Sequence, residues 1–129
     1  MINIDESLKM LSKTYPGFRD AFAKNAESWI SNDGEFLYYI LMSDLSNLLI
    51  KNISEGNYEN TEERFLLVET LLSEGDEYVS NLISVGFLES LQNQTTVEPK
   101  YWAPLIGRQA VSFCKARDEF QGIKIEHYR

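Results

Sequence analysis

Phe36-Leu37-Tyr38-Tyr39-Ile40-Leu41-Met42-Ser43-Asp44-Leu45-Ser46-Asn47-Leu48-Leu49 is the stretch that decides the fold. Phe36, Leu37, Ile40, Leu41, Leu45, Leu48 and Leu49 recur every three or four residues, while Ser43, Asp44, Ser46 and Asn47 fill the opposite side. This is the period of an amphipathic helix, and it predicts one from Glu35 to Ile53. The unbroken apolar run within it, Phe36 to Met42, is far shorter than the roughly 20 residues a membrane helix needs.

Working outward, the same period recurs between punctuation residues. Ser54-Glu55-Gly56-Asn57 closes the first helix, with glycine suited to a left-handed C-terminal position. Asn60 then reads as an N-cap, with Glu63 three residues on to complete a capping box, for a helix burying Phe65, Val68, Leu71 and Leu72. Ser73-Glu74-Gly75-Asp76 repeats the earlier phrase 19 residues later, about one helix plus a tight connection, so consecutive helices are expected to be antiparallel neighbours. Asp76 is placed to cap the next helix, whose Tyr78, Val79, Leu82, Ile83, Val85, Phe87, Leu88 and Leu91 nearly encircle it. Gly86 in its middle costs about 1 kcal/mol relative to alanine, which predicts a close helix crossing there.

Towards the N-terminus, Asp5 reads as the cap of a short helix burying Leu8 and Leu11, interrupted at Tyr15-Pro16-Gly17. Phe18, Phe22, Ala26, Trp29 and Ile30 share one face of a second helix, and Asn32-Asp33-Gly34 signals a turn. Towards the C-terminus, Gln92–Pro99 reads as a loop. A last helix is expected over about Lys100–Arg117, with Trp102, Leu105, Ile106, Ala110 and Phe113 inward, and residues 120–129 form a candidate extended tail. The expected fold is therefore all-α: a single domain, 1–129, of about six antiparallel helices, in a HEAT-like superhelical stack or a compact bundle.

Charge is distributed unevenly over this frame. Glu55, Glu59, Glu62, Glu63, Glu69, Glu74, Asp76, Glu77 and Glu89 face only Arg64 between positions 55 and 89, which equals the net charge of the whole chain, −8. Opposite charges four residues apart stabilise helices by a few tenths of a kcal/mol, an option this block leaves unused. Such a field attracts cationic partners and disfavours nucleic acid. The N-terminus lacks the basic and apolar regions of a secretory signal, and the single cysteine, Cys114, excludes an internal disulfide, so the expected location is the cytoplasm.

The inventory for catalysis is thin. His127, the one histidine, lies three residues from the C-terminus, and Cys114 fits an apolar helical face better than a nucleophile's position. Cysteine and histidine together are too few for a zinc site, the glycines form no phosphate loop, and the acidic runs lack calcium-loop spacing. The expectation is a non-enzyme without cofactor or metal, acting through a protein partner. The candidate contact residues are Glu55, Tyr58, Glu59, Glu62, Glu63, Glu69, Glu74, Asp76 and Glu77, with Glu62 and Glu69 on one helical face and all the carboxylates turned to water. Trp29, Asn32-Asp33 and the Gln92–Glu98 loop are next in line.

The stretch Leu71 to Asn93, with its Gly75-Asp76-Glu77 and Gly86-Phe87-Leu88-Glu89 elements, together with Phe36 to Leu45, resembles a family of small acidic helical bacterial proteins. These look like immunity proteins encoded beside polymorphic toxins, including contact-dependent growth inhibition systems. The resemblance implies a helical fold and a binding role: neutralising a cognate toxin, often a nuclease with a basic active site, by steric and electrostatic blockade. It carries over no contact residue, because such proteins meet their toxins through variable surfaces. A helical adaptor presenting a groove to a peptide or partner helix is the alternative reading.

Overall fold

The computed structural model describes residues 1–15 and 38–122. Among these residues the protein is all-α, with six helical units and no strand. They are α1 (Ile4–Thr14), α2 (Tyr38–Ser54), α3 (Thr61–Glu74), α4, α5 and α6 (Arg108–Phe120). Unit α4 is a continuous run of an α segment Glu77–Asn81, a π segment Leu82–Leu88 and an α segment Glu89–Asn93. Unit α5 is Pro99–Trp102 followed by a 3-10 turn, Ala103–Leu105. The helix expected from Phe18 to Ile30, the Asn32-Asp33-Gly34 turn, the Phe36-Leu37 start of the second amphipathic helix, His127 and the extended tail near Ile123–Ile125 lie outside the described residues.

The π segment is the hub. Helices α2, α3 and α6 all pack on it, and α2 lies closer to α4 than to its sequence neighbour α3. A helix covered on several sides must bury more than one stripe, and a widened turn allows this: Leu82, Ile83, Gly86, Phe87 and Leu88 are all buried. The Glu89 N–H reaches back five residues to the Ser84 carbonyl. Gly86 makes the expected close crossing, since a Cβ there would lie 2.9 Å from the Met42 Cβ of α2. Helix α2 turns Leu41, Met42, Leu45, Ser46, Leu49, Ile50 and Ile53 inward. Its buried stripe is thus rotated from the expected one: Ile40 and Leu48 stand out in solvent, whereas Ser46 is fully buried. Met42, Ser46, Ile50 and Ile53 complete a three-and-four stripe whose Met42 meets the Gly86 gap, and packing against α4 selects it over the alternative.

Several local expectations change for local reasons. Asn3, rather than Asp5, caps α1: its Oδ1 accepts from the Glu6 N–H at 2.9 Å, and Glu6 Oε1 accepts from the Asn3 N–H at 3.3 Å, a reciprocal capping box. Asn60 adopts a left-handed conformation (φ 61°) and its side chain makes no cap hydrogen bond, so the box with Glu63 does not form. Asp76 does cap α4, accepting from the Val79 N–H at 2.8 Å.

The two Ser-Glu-Gly phrases end their helices differently. Gly56 sits at φ +74°, with the Asn57 N–H bonded to the Asn52 carbonyl as in a Schellman closure. Gly75 is extended and pairs with Ile2 through the Ile2 N–H to Glu74 carbonyl and Asp76 N–H to Ile2 carbonyl bonds, both 2.8 Å. That bridge ties the N-terminus to the α3–α4 corner.

The expected last helix is broken at Ile106-Gly107. Pro104 supplies no N–H for the helical ladder and crowds the carbonyl four residues back, so α5 tightens into a 3-10 turn and the chain restarts at Arg108. Trp102, Ala103, Ile106, Ala110 and Cys114 still reach the core, while Leu105 is exposed.

Candidate partner-binding surface

The structure sorts the candidate carboxylates into two groups. Glu55, Glu59, Glu62, Glu63, Glu74 and Glu77 are exposed, as expected. The first four lie on the α2–α3 connection and the first turn of α3, and no described residue forms an ion pair with them. Arg64, the lone base of the acidic stretch, is turned inward: it is only 4% exposed, its guanidinium lies 4.4 Å over the Tyr15 ring, and its Nε donates to the Thr14 carbonyl at 3.1 Å. Its charge is therefore not interleaved with the carboxylates at the surface. Tyr15 is almost completely buried beneath it, and burial pushes the phenol well above its ordinary 10.0, against a smaller downward pull from Arg64.

The second group is engaged in the fold. Glu69 was expected to face water beside Glu62, yet its carboxylate reaches the N-terminus of α6. Oε1 accepts from the Gln109 N–H at 2.5 Å and Oε2 from the Ala110 N–H at 3.3 Å. Gly107 at the N-cap position has no side chain to satisfy these donors, and a Cβ there would come within 2.5 Å of Glu69 Oε2. One residue thus vacates the space and another, 38 positions earlier, fills it with a carboxylate where the helix dipole favours negative charge. Asp76 is occupied by its own helix cap. Glu89, in the acidic stretch but not among the candidate contacts, pairs with Arg117 at 3.1 Å, and the guanidinium also donates to Asn93 Oδ1 at 3.0 Å, joining α4 to α6.

A cleft opens beside the exposed carboxylates. It has a volume of about 440 Å³ and is lined by Ile53, Ser54, Gly56, Tyr58, Thr96, Val97, Glu98 and Tyr101. Tyr58, the aromatic residue singled out in the sequence, is half exposed on its wall. Opposite it come the end of the Gln92–Glu98 loop and the first turn of α5. Gln94 shapes that loop by pairing with both backbone groups of Val97, accepting from its N–H at 2.9 Å and donating to its carbonyl at 2.8 Å. On the rim, Lys100 lies 3.5 Å from Glu98 and 5.1 Å over the Tyr101 ring. Tyr101 and then Glu98 favour its charged form and push its pKa upward.

Glu62, Phe65, Leu66, Glu69, Leu105 and Gly107 line a smaller groove of about 150 Å³. Leu66 (66% exposed) and Leu105 (40%) are its apolar lips. The cleft is lined from the α2–α3 corner and the loop-α5 segment, and the groove from α3, Leu105 and Gly107. Leu66, Tyr101 and Leu105 were not foreseen as surface residues. The available signal was Pro104, which breaks the helix that would have turned Leu105 inward.

Fold and surface together define a small all-α domain with an acidic, partly apolar face and a cleft beside it. The chain belongs to the family described as Domain of unknown function (DUF7674), whose model matches residues 8–121. No curated protein and no solved structure matches it. Among the described residues, no helix is long and apolar enough to cross a membrane.

Proposed function

We propose that this domain is a binding protein that neutralises a basic partner by covering its charged surface, and that the partner is a cognate bacterial toxin domain of the nuclease type. The observation that carries the reading is the carboxylate set Glu55, Glu59, Glu62 and Glu63, which forms no ion pair among the described residues, with Leu66 and Tyr58 exposed beside it and Arg64 of the same stretch buried. Clustered like charge steers a cationic surface into contact, and exposed apolar side chains at the same place supply the desolvated anchors a stable interface needs. A phosphate-binding active site is basic by necessity, so an acidic domain seated on it blocks substrate without chemistry. The sequence resemblance to immunity proteins supports the same reading, and such a role is exercised in the cytoplasm.

The experiment is to identify the protein this domain retains in a pull-down, which should be a basic toxin domain, and to measure its binding with the wild type and with Glu59, Glu62 and Glu63 changed together to lysine. Expected are a fall in association rate with added salt for the wild type, and weakening by several kcal/mol in the variant, since close interfacial charge pairs couple by about 1.5–7 kcal/mol. Undiminished affinity in a folded variant refutes the electrostatic contact. The cleft favours a second reading, an adaptor that grips a peptide segment; capture of a partner unaffected by the acidic reversals but lost on cleft substitution would select it.

A further inference from the structure

We infer that the cleft between the α2–α3 corner and α5 is a receptor for an arginine side chain carried on a segment of the basic protein partner. The inference rests on the binding role proposed above and assigns this part of the surface its ligand chemistry. Tyr58 and Tyr101 bring aromatic rings, Glu98 brings a carboxylate, and Ile53 and Val97 bring apolar walls to one volume of about 440 Å³. Charge complementarity determines the occupant. Tyr101 and Glu98 already hold a cation of this chain, Lys100, over the ring at 5.1 Å and against the carboxylate at 3.5 Å. The ammonium is an exposed, strongly hydrated internal stand-in.

A guanidinium is planar and more weakly hydrated, so it stacks on an aromatic face while donating to a carboxylate, and its three-carbon stem suits the apolar wall. The volume falls within the range of small-ligand clefts, about 300–1,000 Å³, leaving room for the flanking peptide as well. The neighbouring exposed carboxylates at Glu55 and Glu59 would draw the same cation towards the opening.

The test uses N-acetyl-arginine amide, with N-acetyl-lysine amide as the equal-charge control, titrated into the whole protein and followed by the ring resonances of Tyr58 and Tyr101. The arginine probe should perturb both rings and bind at least twofold more tightly than the lysine probe. Tyr101→Leu and Glu98→Gln should each weaken it by about twofold to fivefold, the range of exposed cation–π and ion-pair contacts. Lys100→Ala removes the resident cation and should tighten arginine binding by a similar factor; because loss of a positive charge favours any cationic probe, the arginine probe should gain more than the lysine probe, and an equal gain for both overturns the stacking argument. Both probes binding alike, perturbation spread over the acidic face, or indifference to Glu98→Gln overturns the inference. The titration contains no toxin, so its failure is separable: a silent cleft with reversal-sensitive toxin binding leaves the proposed function standing. Equally, an arginine-selective cleft in a protein whose toxin binding ignores the acidic reversals removes the blockade reading alone.

Discussion

Changing Glu69 to alanine should cost the fold about 1–3 kcal/mol although the residue lies on the acidic stretch and is not fully buried. The carboxylate accepts two N–H groups of the first turn of α6, from Gln109 and Ala110. Loss of a helix N-cap side chain costs about 0.5–2 kcal/mol, and loss of a negative charge at a partly buried helix N-terminus adds about 0.3–1 kcal/mol. Packing makes the loss harder to repair locally, since the N-cap residue is Gly107 and offers no oxygen of its own. For a domain of this size the melting temperature should fall by about 3–15 °C, at about 3–5 °C per kcal/mol. Urea titration with an unchanged slope would confirm a stability effect rather than a change in the unfolded state. Glu62→Ala and Glu63→Ala, exposed on the same helix, should stay within about 0.5 kcal/mol of wild type. A Glu69→Ala loss no larger than theirs would refute the capping argument. Gly107→Ala supplies a second check, because its Cβ would press on Glu69 Oε2 and should give a loss in the same direction. For this reason lysine reversals meant to test the binding surface belong at Glu59, Glu62 and Glu63: reversal at Glu69 would put a cation at a helix N-terminus and confound binding with unfolding.

Gly86→Ala should destabilise by about 1–3 kcal/mol in chemical denaturation despite alanine's higher helix propensity, because the new methyl would meet Met42 at the α2–α4 crossing; a gain in stability would show that the crossing relaxes freely. Arg117→Ala should cost about 1–3 kcal/mol, since it removes the link from α6 to Glu89 and Asn93, and Glu89→Gln should recover part of the loss by removing the stranded charge. Tyr15 bears on alkaline stability: its folded-state pKa lies above the unfolded value, so the unfolded chain loses the proton first and stability falls as pH rises past about 10. The Tyr15 hydroxyl is buried without a hydrogen-bond partner among the described residues, so Tyr15→Phe should be near neutral at pH 7 and flatten that alkaline decline; an unchanged decline by thermal melts across the range would refute the assignment.

The sequence by itself determined the helical class, because a three-and-four apolar period is a property of neighbouring residues and survives any arrangement of the helices. It also determined some features that act within one turn, the Asp76 cap and the left-handed Gly56 though not the caps at Asp5 and Asn60, and it marked Gly86 as a close approach without naming Met42 as its neighbour. What required the tertiary structure was every choice between near-equivalent local options. Helix α2 has enough leucine and isoleucine to bury either of two adjacent stripes, and contact with the widened turn of α4 selected the one with Met42, Ser46 and Ile53. Two Ser-Glu-Gly phrases read alike, yet Gly75 is held extended by the distant Ile2. The candidate surface divided in the same way. Charge density along the chain marked the acidic stretch, but Glu62 and Glu69 share a helix and differ in role, because only Glu69 lies within reach of the uncapped start of α6. A carboxylate's sequence neighbours cannot reveal which distant N–H groups need an acceptor; that is set by where the chain returns after Pro104 breaks its last helix.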